Sequence, residues 1–246
     1  MLSKYVLPGN KIEIQAVDRT NQTEDQIEEK GKRKVYQTQV CDIISDDQLE
    51  IYMPMEKSKL ILLPIDAEYD LYFYTQAGLY QCFANVKDRY KSNNQFVLLM
   101  ELTSNLRKYQ RREYYRLSCA LEMGSRPLEK AEINAVGKDE NYLLPGGPLR
   151  NSVIVDISGG GIRFVGNYAY EPESLIYCRY NLVIDGEPKE YTLVAKILTV
   201  REVENKPGVF EHRAQYVDID TVEREEIIRF IFEEERNQRK RKKPLR

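Results

Sequence analysis

Alternation of apolar and polar residues constrains the fold of this chain more than any other feature. Ile12 and Ile14 alternate with polar neighbours, and Leu49, Ile51 and Met53 repeat the pattern. A period of two is typical of a strand with one buried face. Further runs rich in Tyr, Val, Ile and Phe, which strands favour, cover residues 35–44, 69–75, 79–87, 95–102, 114–123, 152–157, 162–165, 174–184, 190–203 and 209–219. Many short strands at regular spacing favour β-barrels over alternating α/β units.

The 246 residues suffice for one or two domains. We predict an all-β protein made of two small β-barrels and a closing C-terminal helix. The predicted parts are a barrel at residues 1–104, a basic linker at 105–111, a second barrel domain at 112–235 and a basic tail at 236–246. The polar stretch 18–34 predicts a mobile hairpin loop, and the Gly- and Pro-rich stretch 124–150 predicts a long loop.

The closing helix is predicted from its cap and its apolar stripe. Asp220 or Thr221 can cap it, with Glu223 in the first turn. The buried stripe consists of Ile227, Ile228, Phe230, Ile231 and Phe232. Acidic residues precede basic residues along the helix, which matches its macrodipole.

Charge is distributed unevenly along the chain, whose net charge is −2. Residues 105–116 carry five basic residues and one acidic residue, and residues 236–246 carry seven basic residues and no acidic one. The remaining chain holds 25 basic and 38 acidic residues. Two basic islands on an acidic body indicate an anionic partner at one or both of them. For the tail we favour a disordered, solubilising segment over binding to lipid or nucleic acid.

Several classes of function are disfavoured by what the sequence lacks. No apolar run approaches the ~18 residues of a membrane span, and no signal peptide is visible, so a cytoplasmic protein is expected. The four cysteines are scattered, which indicates reduced thiols and no zinc site. No spacing of carboxylates suggests a metal, and no nucleophile motif suggests catalysis. The only histidine, His212, falls on a predicted strand, where it either extends a site or faces solvent.

A first motif lies where the predicted linker meets the second domain. Residues 111–116 read RREYYR, which places Arg112 and Arg116 four apart with Arg111 in front. Guanidinium groups form paired hydrogen bonds with phosphate oxygens and with guanine, and they stack on bases. Alone, this cluster is more often a solvated charged segment.

A second motif, DISGGG, occupies residues 156–161. The Asp156 carboxylate can accept hydrogen bonds from a guanine edge, and the Ser158 hydroxyl can donate to a phosphate. The glycines, of which Gly161 ends the motif, let the backbone approach a ligand closely. Alone, this stretch is an ordinary turn between two strands. It is not a P-loop, because no Lys-Ser/Thr follows the glycines.

Together the two motifs resemble the RxxxR and (D/N)xSxxG pair of the PilZ family, whose members bind cyclic di-GMP. The resemblance covers roughly residues 105–235. It implies that Arg112 and Arg116 clamp phosphate and guanine, while Asp156, Ser158 and Gly161 form the barrel half of the site. It also implies that Arg111 stacks on a second guanine, which predicts two nucleotides per protomer. Further candidate contacts are Arg107, Gly160 and Arg163.

Residues 1–104 resemble the barrel that precedes PilZ in YcgR-type flagellar brake proteins. The resemblance implies a non-catalytic receptor that needs no metal or other cofactor, with cyclic di-GMP as its ligand. A ligand that bridges linker and barrel would change the pose of the domains and regulate a protein partner, expected to be a flagellar motor component. The alternatives are a nucleic-acid-binding β-barrel module, which the acidic body disfavours, and a ligand-free PilZ scaffold. A phosphodiesterase is disfavoured because the sequence lacks a metal-binding cluster.

Overall fold

The computed structural model describes residues 2–17, 34–138, 143 and 146–242. The chain forms two compact units, Met1–Arg111 and Arg112–Arg246. No helix among the described residues is long and apolar enough to cross a membrane.

The first unit is a ring of antiparallel strands. Its elements are β1 (Lys11–Ala16), β2 (Val35–Ile43), β3 (Gln48–Tyr52), β4 (Met55–Glu56), β5 (Lys59–Leu60), β6 (Glu68–Thr75), β7 (Gly78–Ser92), β8 (Gln95–Leu102) and β9 (Arg107–Lys108). Six strands pair in the order β6-β1-β2-β3-β8-β7, and the pairing of β6 with β7 closes the ring. The short β9 adds to β7, while β4 and β5 form a separate two-stranded hairpin. Closure leaves no unpaired sheet edge among these six strands.

The period-two pattern explains how the first ring is filled. Ile12 and Ile14 of β1 and Leu71 and Phe73 of β6 are at most 1% exposed, and β1 and β6 are paired. Successive side chains of a strand point to opposite faces, so the polar residues between them face outward.

The second unit is a closed six-stranded barrel followed by a helix. Its elements are β10 (Arg116–Pro127), α1 (Lys130–Ala135), β11 (Arg150–Ser158), β12 (Gly161–Gly166), β13 (Leu175–Ile184), β14 (Glu187–Glu202), β15 (Phe210–Val217) and α2 (Thr221–Lys242). The strands pair in the order β10-β11-β12-β15-β14-β13, and β13 pairs with β10 to close the barrel.

Strand β13 shows the alternation most clearly, because every second residue from Ile176 to Ile184 is buried. Helix α2 begins where the Asp220 carboxylate accepts the backbone N–H of Val222 at 2.7 Å. Its Ile227 and Ile231 belong to the same apolar core as the barrel. The helix therefore covers the barrel, which an amphipathic element with a one-sided apolar stripe is expected to do.

The predicted all-β fold with two barrels and a closing helix is confirmed. The long loop predicted at 124–150 is wrong in part, because β10 continues to Pro127 and α1 follows. A capping box between Glu129 and Glu132 stabilises α1. These two glutamates, three residues apart in a mostly polar segment, gave no apolar period to reveal the helix.

The tail predicted to be disordered is instead helical through residue 242, because α2 continues past its apolar stripe. Residues 243–246 and 18–33, where the mobile hairpin loop was predicted, lie outside the described residues. Within the segment predicted as a linker, Arg107–Lys108 pairs with Tyr80 and Gln81 of β7. The domain boundaries remain predictions.

Candidate ligand-binding site

Strand register brings residues of the two motifs side by side on the outer face of the second barrel. Arg116 of β10 lies opposite Ser158 of β11, Ser158 lies opposite Gly161 of β12, and Gly161 lies opposite Gln215 of β15. Neighbouring strands are about 4.8 Å apart, so this row spans about 14 Å from Arg116 to Gln215. A ligand the size of a cyclic dinucleotide can contact several members of such a row at once.

A β-bulge turns Asp156 to the same outer face. Ile154 and Ile157 are both fully buried, although a regular strand would point residues three apart to opposite faces. The register of β11 shifts between Ile154 and Asp156, which leaves Val155 as the extra residue. Asp156 consequently lies opposite Arg163 of β12 and Ser118 of β10, one row from Ser158.

Gly161 is required by its backbone conformation and by its neighbours. Its φ is +156°, and a Cβ atom at this position would lie 2.2 Å from the carbonyl oxygen of Ala214. No side chain fits at that distance, so only glycine allows β12 to start this close to β15. The row therefore has no side-chain atoms at Gly161. Gly161 and Ser158 are buried, and Arg116 and Gln215 are the exposed members of the row.

The two motifs are in direct contact through an aromatic residue. Tyr114, from the middle of the first motif, packs on the glycine turn so closely that a Cβ on Gly159 would lie 2.7 Å from its ring. A Cβ on Gly160 would lie 3.0 Å from the same ring. The Tyr114 hydroxyl accepts a hydrogen bond from Arg224 of α2 at 2.8 Å. The aromatic ring therefore fixes the turn against the strand that carries Arg116.

Charged groups continue across the outer face beyond Asp156. Arg163 Nη2 lies 3.7 Å from Asp156 Oδ2, and Arg163 Nη1 lies 2.7 Å from Glu211 Oε2. Arg213 lies directly opposite Arg163 in the ladder, and its Nε is 3.8 Å from Glu211. Like charges directly opposite each other repel, so Glu211 separates two arginines that an anionic ligand could also neutralise.

The hydroxyl of Ser158 is engaged within the turn, where it donates to the carbonyl oxygen of Gly161 at 3.0 Å. Donation to a phosphate would therefore replace this internal bond. The neighbouring Cys119 thiol donates to the Ile154 carbonyl oxygen at 3.8 Å. Burial, with a smaller contribution from the Asp156 charge, raises the pKa of Cys119 to about 11. The thiol is thus protonated at neutral pH and is no nucleophile.

The remaining predicted arginines are divided between the two units. Arg112 begins the second unit and is exposed, as is Arg116. Arg107 and Arg111 belong to the first unit. Arg107 Nε donates to Gln81 Oε1 at 2.5 Å, and Arg111 Nη1 donates to the Tyr74 hydroxyl at 2.6 Å. The structure therefore gathers Arg116, Asp156, Ser158, Gly160, Gly161 and Arg163 on one barrel, and binds the Arg107 and Arg111 side chains to the other.

His212 neither extends the site nor faces solvent, so both interpretations of this residue are wrong. Its side chain is fully buried and stacks on Phe164, with ring centroids 4.5 Å apart. Its Nε2 accepts the backbone N–H of Tyr170 at 3.2 Å. Burial lowers the pKa of His212, which makes it a neutral core residue.

Sequence reasoning missed Arg213, Gln215 and Tyr114 as neighbours of the motifs. Arg213 and Gln215 alternate with the apolar residues of β15, which marks them as outward-facing, but only the β12–β15 register brings them to this row. Among the described residues no group of three or more His, Cys, Asp or Glu could hold a metal ion. The arrangement offers guanidinium groups and a carboxylate, which suits a ligand with phosphates and guanine-like hydrogen-bonding edges.

Comparison with known families agrees with this geometry. Residues 106–233 match the family model of the PilZ domain, and residues 7–101 match the model described as flagellar protein YcgR. The chain belongs to the PilZ family. The resemblance identified from the two motifs and from the preceding barrel is thereby confirmed. No curated protein sequence matches the chain.

Solved structures resemble this chain to different degrees. The Bacillus subtilis inhibitor of motility MotI/DgrA is 15% identical, with a TM-score of 0.71 over 95% of this chain and 100% of that chain. Escherichia coli YcgR in complex with c-di-GMP is 11% identical, with a TM-score of 0.48 over 95% of this chain and 87% of that one. The K. pneumonia MrkH–c-di-GMP complex is 15% identical, with a TM-score of 0.42 over 95% and 90%. At 15% identity, the similarity to MotI/DgrA shows a shared fold and says nothing about a ligand of this chain.

Proposed function

We propose that this PilZ protein is a non-catalytic, cytoplasmic receptor for cyclic di-GMP. The observation that carries the proposal is the row on the outer face of the second barrel, where Arg116, Ser158 and Gly161 are neighbours and Asp156 lies one row away. The ligand has two phosphates for the arginines and two guanines whose N–H edges match the carboxylate. Arg112 completes the phosphate clamp from the start of the second unit.

Ligand binding changes the pose of the two barrels in this proposal. Arg112 and Arg116 lie at the entrance to the second barrel, so a ligand that contacts them and Asp156 orders the connecting segment. A ligand shifts a conformational equilibrium only by its differential affinity for the two states. The ligand-bound pose presents a surface to a protein partner, which we propose to be a flagellar motor component. The MotI/DgrA structure, described as an inhibitor of motility, supports this choice of partner.

Calorimetric titration of the full chain with cyclic di-GMP tests the receptor proposal. We expect saturable binding, weakened by about 10-fold to 100-fold in Arg116→Ala and in Asp156→Ala, because each loses charge-assisted hydrogen bonds. A stoichiometry of two is expected, with Arg111 contacting the second nucleotide. The recovered ligand should be chemically intact, since no hydrolysis is proposed.

Arg179→Ala is the matched control. Arg179 is an exposed arginine on β13 of the same barrel, about half exposed and 3.9 Å from Glu190. Its removal changes net charge equally but leaves the row intact, so affinity should not change. Equal weakening by Arg116→Ala and Arg179→Ala would indicate a nonspecific charge effect, and absence of binding by the folded wild type would overturn the proposal. A single-stranded oligonucleotide should not compete.

A further inference from the structure

Arg111 is held by two residues of the first barrel. Its Nη1 donates to the Tyr74 hydroxyl at 2.6 Å and lies 3.3 Å from Glu13 Oε2. Its guanidinium carbon is 5.2 Å from the centre of the Tyr74 ring, within cation–π range. We call Glu13 and Tyr74, together with Arg111, the Arg111 latch.

Strand pairing builds the Arg111 latch in advance. Glu13 of β1 and Tyr74 of β6 lie on neighbouring paired strands, with Lys11 opposite Tyr74 and Tyr72 opposite Glu13. Residues diagonal to each other in a ladder share a face and are within reach of long side chains. The Glu13 side chain is 17% exposed, and Gln37 donates to its second oxygen at 3.5 Å. Glu13 is therefore an ordered, partly desolvated carboxylate.

The segment that carries Arg111 does not need the latch in order to stay on the barrel. Arg107 and Lys108 pair with β7 through the backbone. The Tyr109 N–H donates to the Leu79 carbonyl oxygen at 2.8 Å, and the Tyr109 ring contacts Tyr72 edge-on at 5.1 Å. If the contacts of Arg111 with Glu13 and Tyr74 served only to hold the segment on the barrel, they would repeat what these attachments already do. The Glu13 carboxylate instead compensates the charge of Arg111, the residue directly before Arg112.

We propose that Glu13 and Tyr74 set the affinity for cyclic di-GMP, because the ligand must take Arg111 from them. The inference depends on the proposed receptor function. The Nη1 hydrogens that Arg111 directs at Tyr74 and Glu13 cannot at the same time bond a phosphate or a guanine. Ligand binding thus releases Arg111 from the first barrel, and by thermodynamic reciprocity an intact latch opposes ligand binding.

Glu13→Gln is the direct test, because the amide keeps the size of the side chain and removes its charge. Loss of a half-exposed ion pair corresponds to about 1 kcal/mol, so we expect cyclic di-GMP to bind the variant about fivefold more tightly than the wild type. Tyr74→Phe keeps the ring and removes only the hydroxyl acceptor, so it should strengthen binding by a smaller factor. Circular dichroism checks that both variants fold.

Glu101→Gln is the matched control in the same barrel. Glu101 is also ion-paired, with Lys87 at 3.1 Å and one-third exposure, but it has no contact with Arg111. The Glu101→Gln variant should bind cyclic di-GMP with the same affinity as the wild type. In an Arg111→Ala background, Glu13→Gln should have no effect, because the competed side chain is gone.

The outcomes separate this inference from the receptor proposal. Unchanged or weaker binding by Glu13→Gln, in a protein whose wild type binds cyclic di-GMP, overturns the latch and leaves the receptor proposal standing. An equal gain from Glu13→Gln with and without Arg111 also overturns it, since the effect would then be general electrostatics. A folded wild type that does not bind overturns both.

Discussion

The two barrels are built alike inside and differ outside. Each is a six-stranded antiparallel ring whose inward-facing residues are apolar. On the outside, the second barrel carries the row from Arg116 to Gln215, in which Gly161 has no side chain. The outer face of the first barrel holds Arg111 through Glu13 and Tyr74. The ring is thus a scaffold common to both, and the function lies in what each ring places on its outer face.

Two local irregularities account for the difference. The bulge at Val155 moves Asp156 to the outer face of the second barrel, and the glycine turn lets Tyr114 pack beneath it. The first barrel also has bulges, between Val40 and Asp42 and between Val86 and Asp88. The bulged strand β7 connects to β8 through Asn93 and Asn94, which have positive φ, and not through a glycine turn.

The largest expected effect comes from removing one core aromatic side chain from each barrel. Phe73 and Phe164 are both fully buried, so Phe73→Ala and Phe164→Ala should each lower the free energy of unfolding of their own barrel by about 3–5 kcal/mol. Phe164→Ala should also abolish cyclic di-GMP binding, whereas Phe73→Ala should retain it. Urea unfolding and calorimetry measure the two effects.

The contrast between these variants assigns the site to one barrel. Phe96→Ala, at a residue that is 46% exposed, is the control and should change stability by no more than about 0.5 kcal/mol. Loss of binding in Phe73→Ala at a temperature where the second barrel is folded would contradict a site whose main contacts, Arg116 and Asp156, lie on the second barrel.

Gly161→Ala should give the next largest effect. The new methyl group would overlap the Ala214 carbonyl oxygen at 2.2 Å in a backbone conformation that alanine avoids, so we expect a loss of about 2–4 kcal/mol and much weaker binding. Gly186→Ala is the matched control, because Gly186 also has positive φ, +88°, but a Cβ there meets no atom within 4 Å. That variant should lose about 1 kcal/mol from backbone strain alone and bind normally. Similar losses in both would show that close approach contributes nothing.

Tyr114→Phe tests how firmly the two motifs are joined. The variant loses the partly buried hydrogen bond from Arg224, so we expect a loss of about 1 kcal/mol. Binding of cyclic di-GMP should weaken as the glycine turn loosens. Tyr115→Phe removes the adjacent hydroxyl, which donates to Glu235 on the exposed surface at 2.9 Å, and should cost about half as much or less. Equal effects of the two variants would contradict the role of Tyr114 in holding the two motifs together.

The sequence was sufficient for the barrels because a period of two is a local property of each strand. Most residues of the candidate site were also recognisable in the sequence, as two motifs about forty residues apart. The row itself could not be predicted, because Gln215 and Arg213 reach it only through the pairing of β12 with β15. The outward turn of Asp156 depends on a one-residue bulge, and a single shift in register exchanges the faces of a strand. The burial of His212 was not predicted for a related reason. The sequence indicates that β15 is a strand, but which of its faces points into the barrel depends on the register.

The smallest effect expected is a pH dependence confined to the second barrel. His212 is the only histidine in the chain, and burial lowers its pKa below that of the unfolded state, which is about 6.5. Below that pH the unfolded chain binds a proton that the folded barrel resists, because protonated Nε2 could no longer accept the Tyr170 N–H. Stability of the second barrel should therefore be complete above pH 6.5 and fall as pH falls towards 5.5. Glu223, whose pKa burial raises, acts in the opposite direction, so the comparison must be made against His212→Gln, which keeps an acceptor and does not titrate.

Hydrogen exchange followed by mass spectrometry at pH 7.5 and 5.5, corrected for intrinsic rates, should show reduced protection in β15 of the wild type and a smaller change in His212→Gln. Strand β7 of the first barrel should show no such difference between the two proteins, and a matching difference there would mean that the two barrels unfold as one unit.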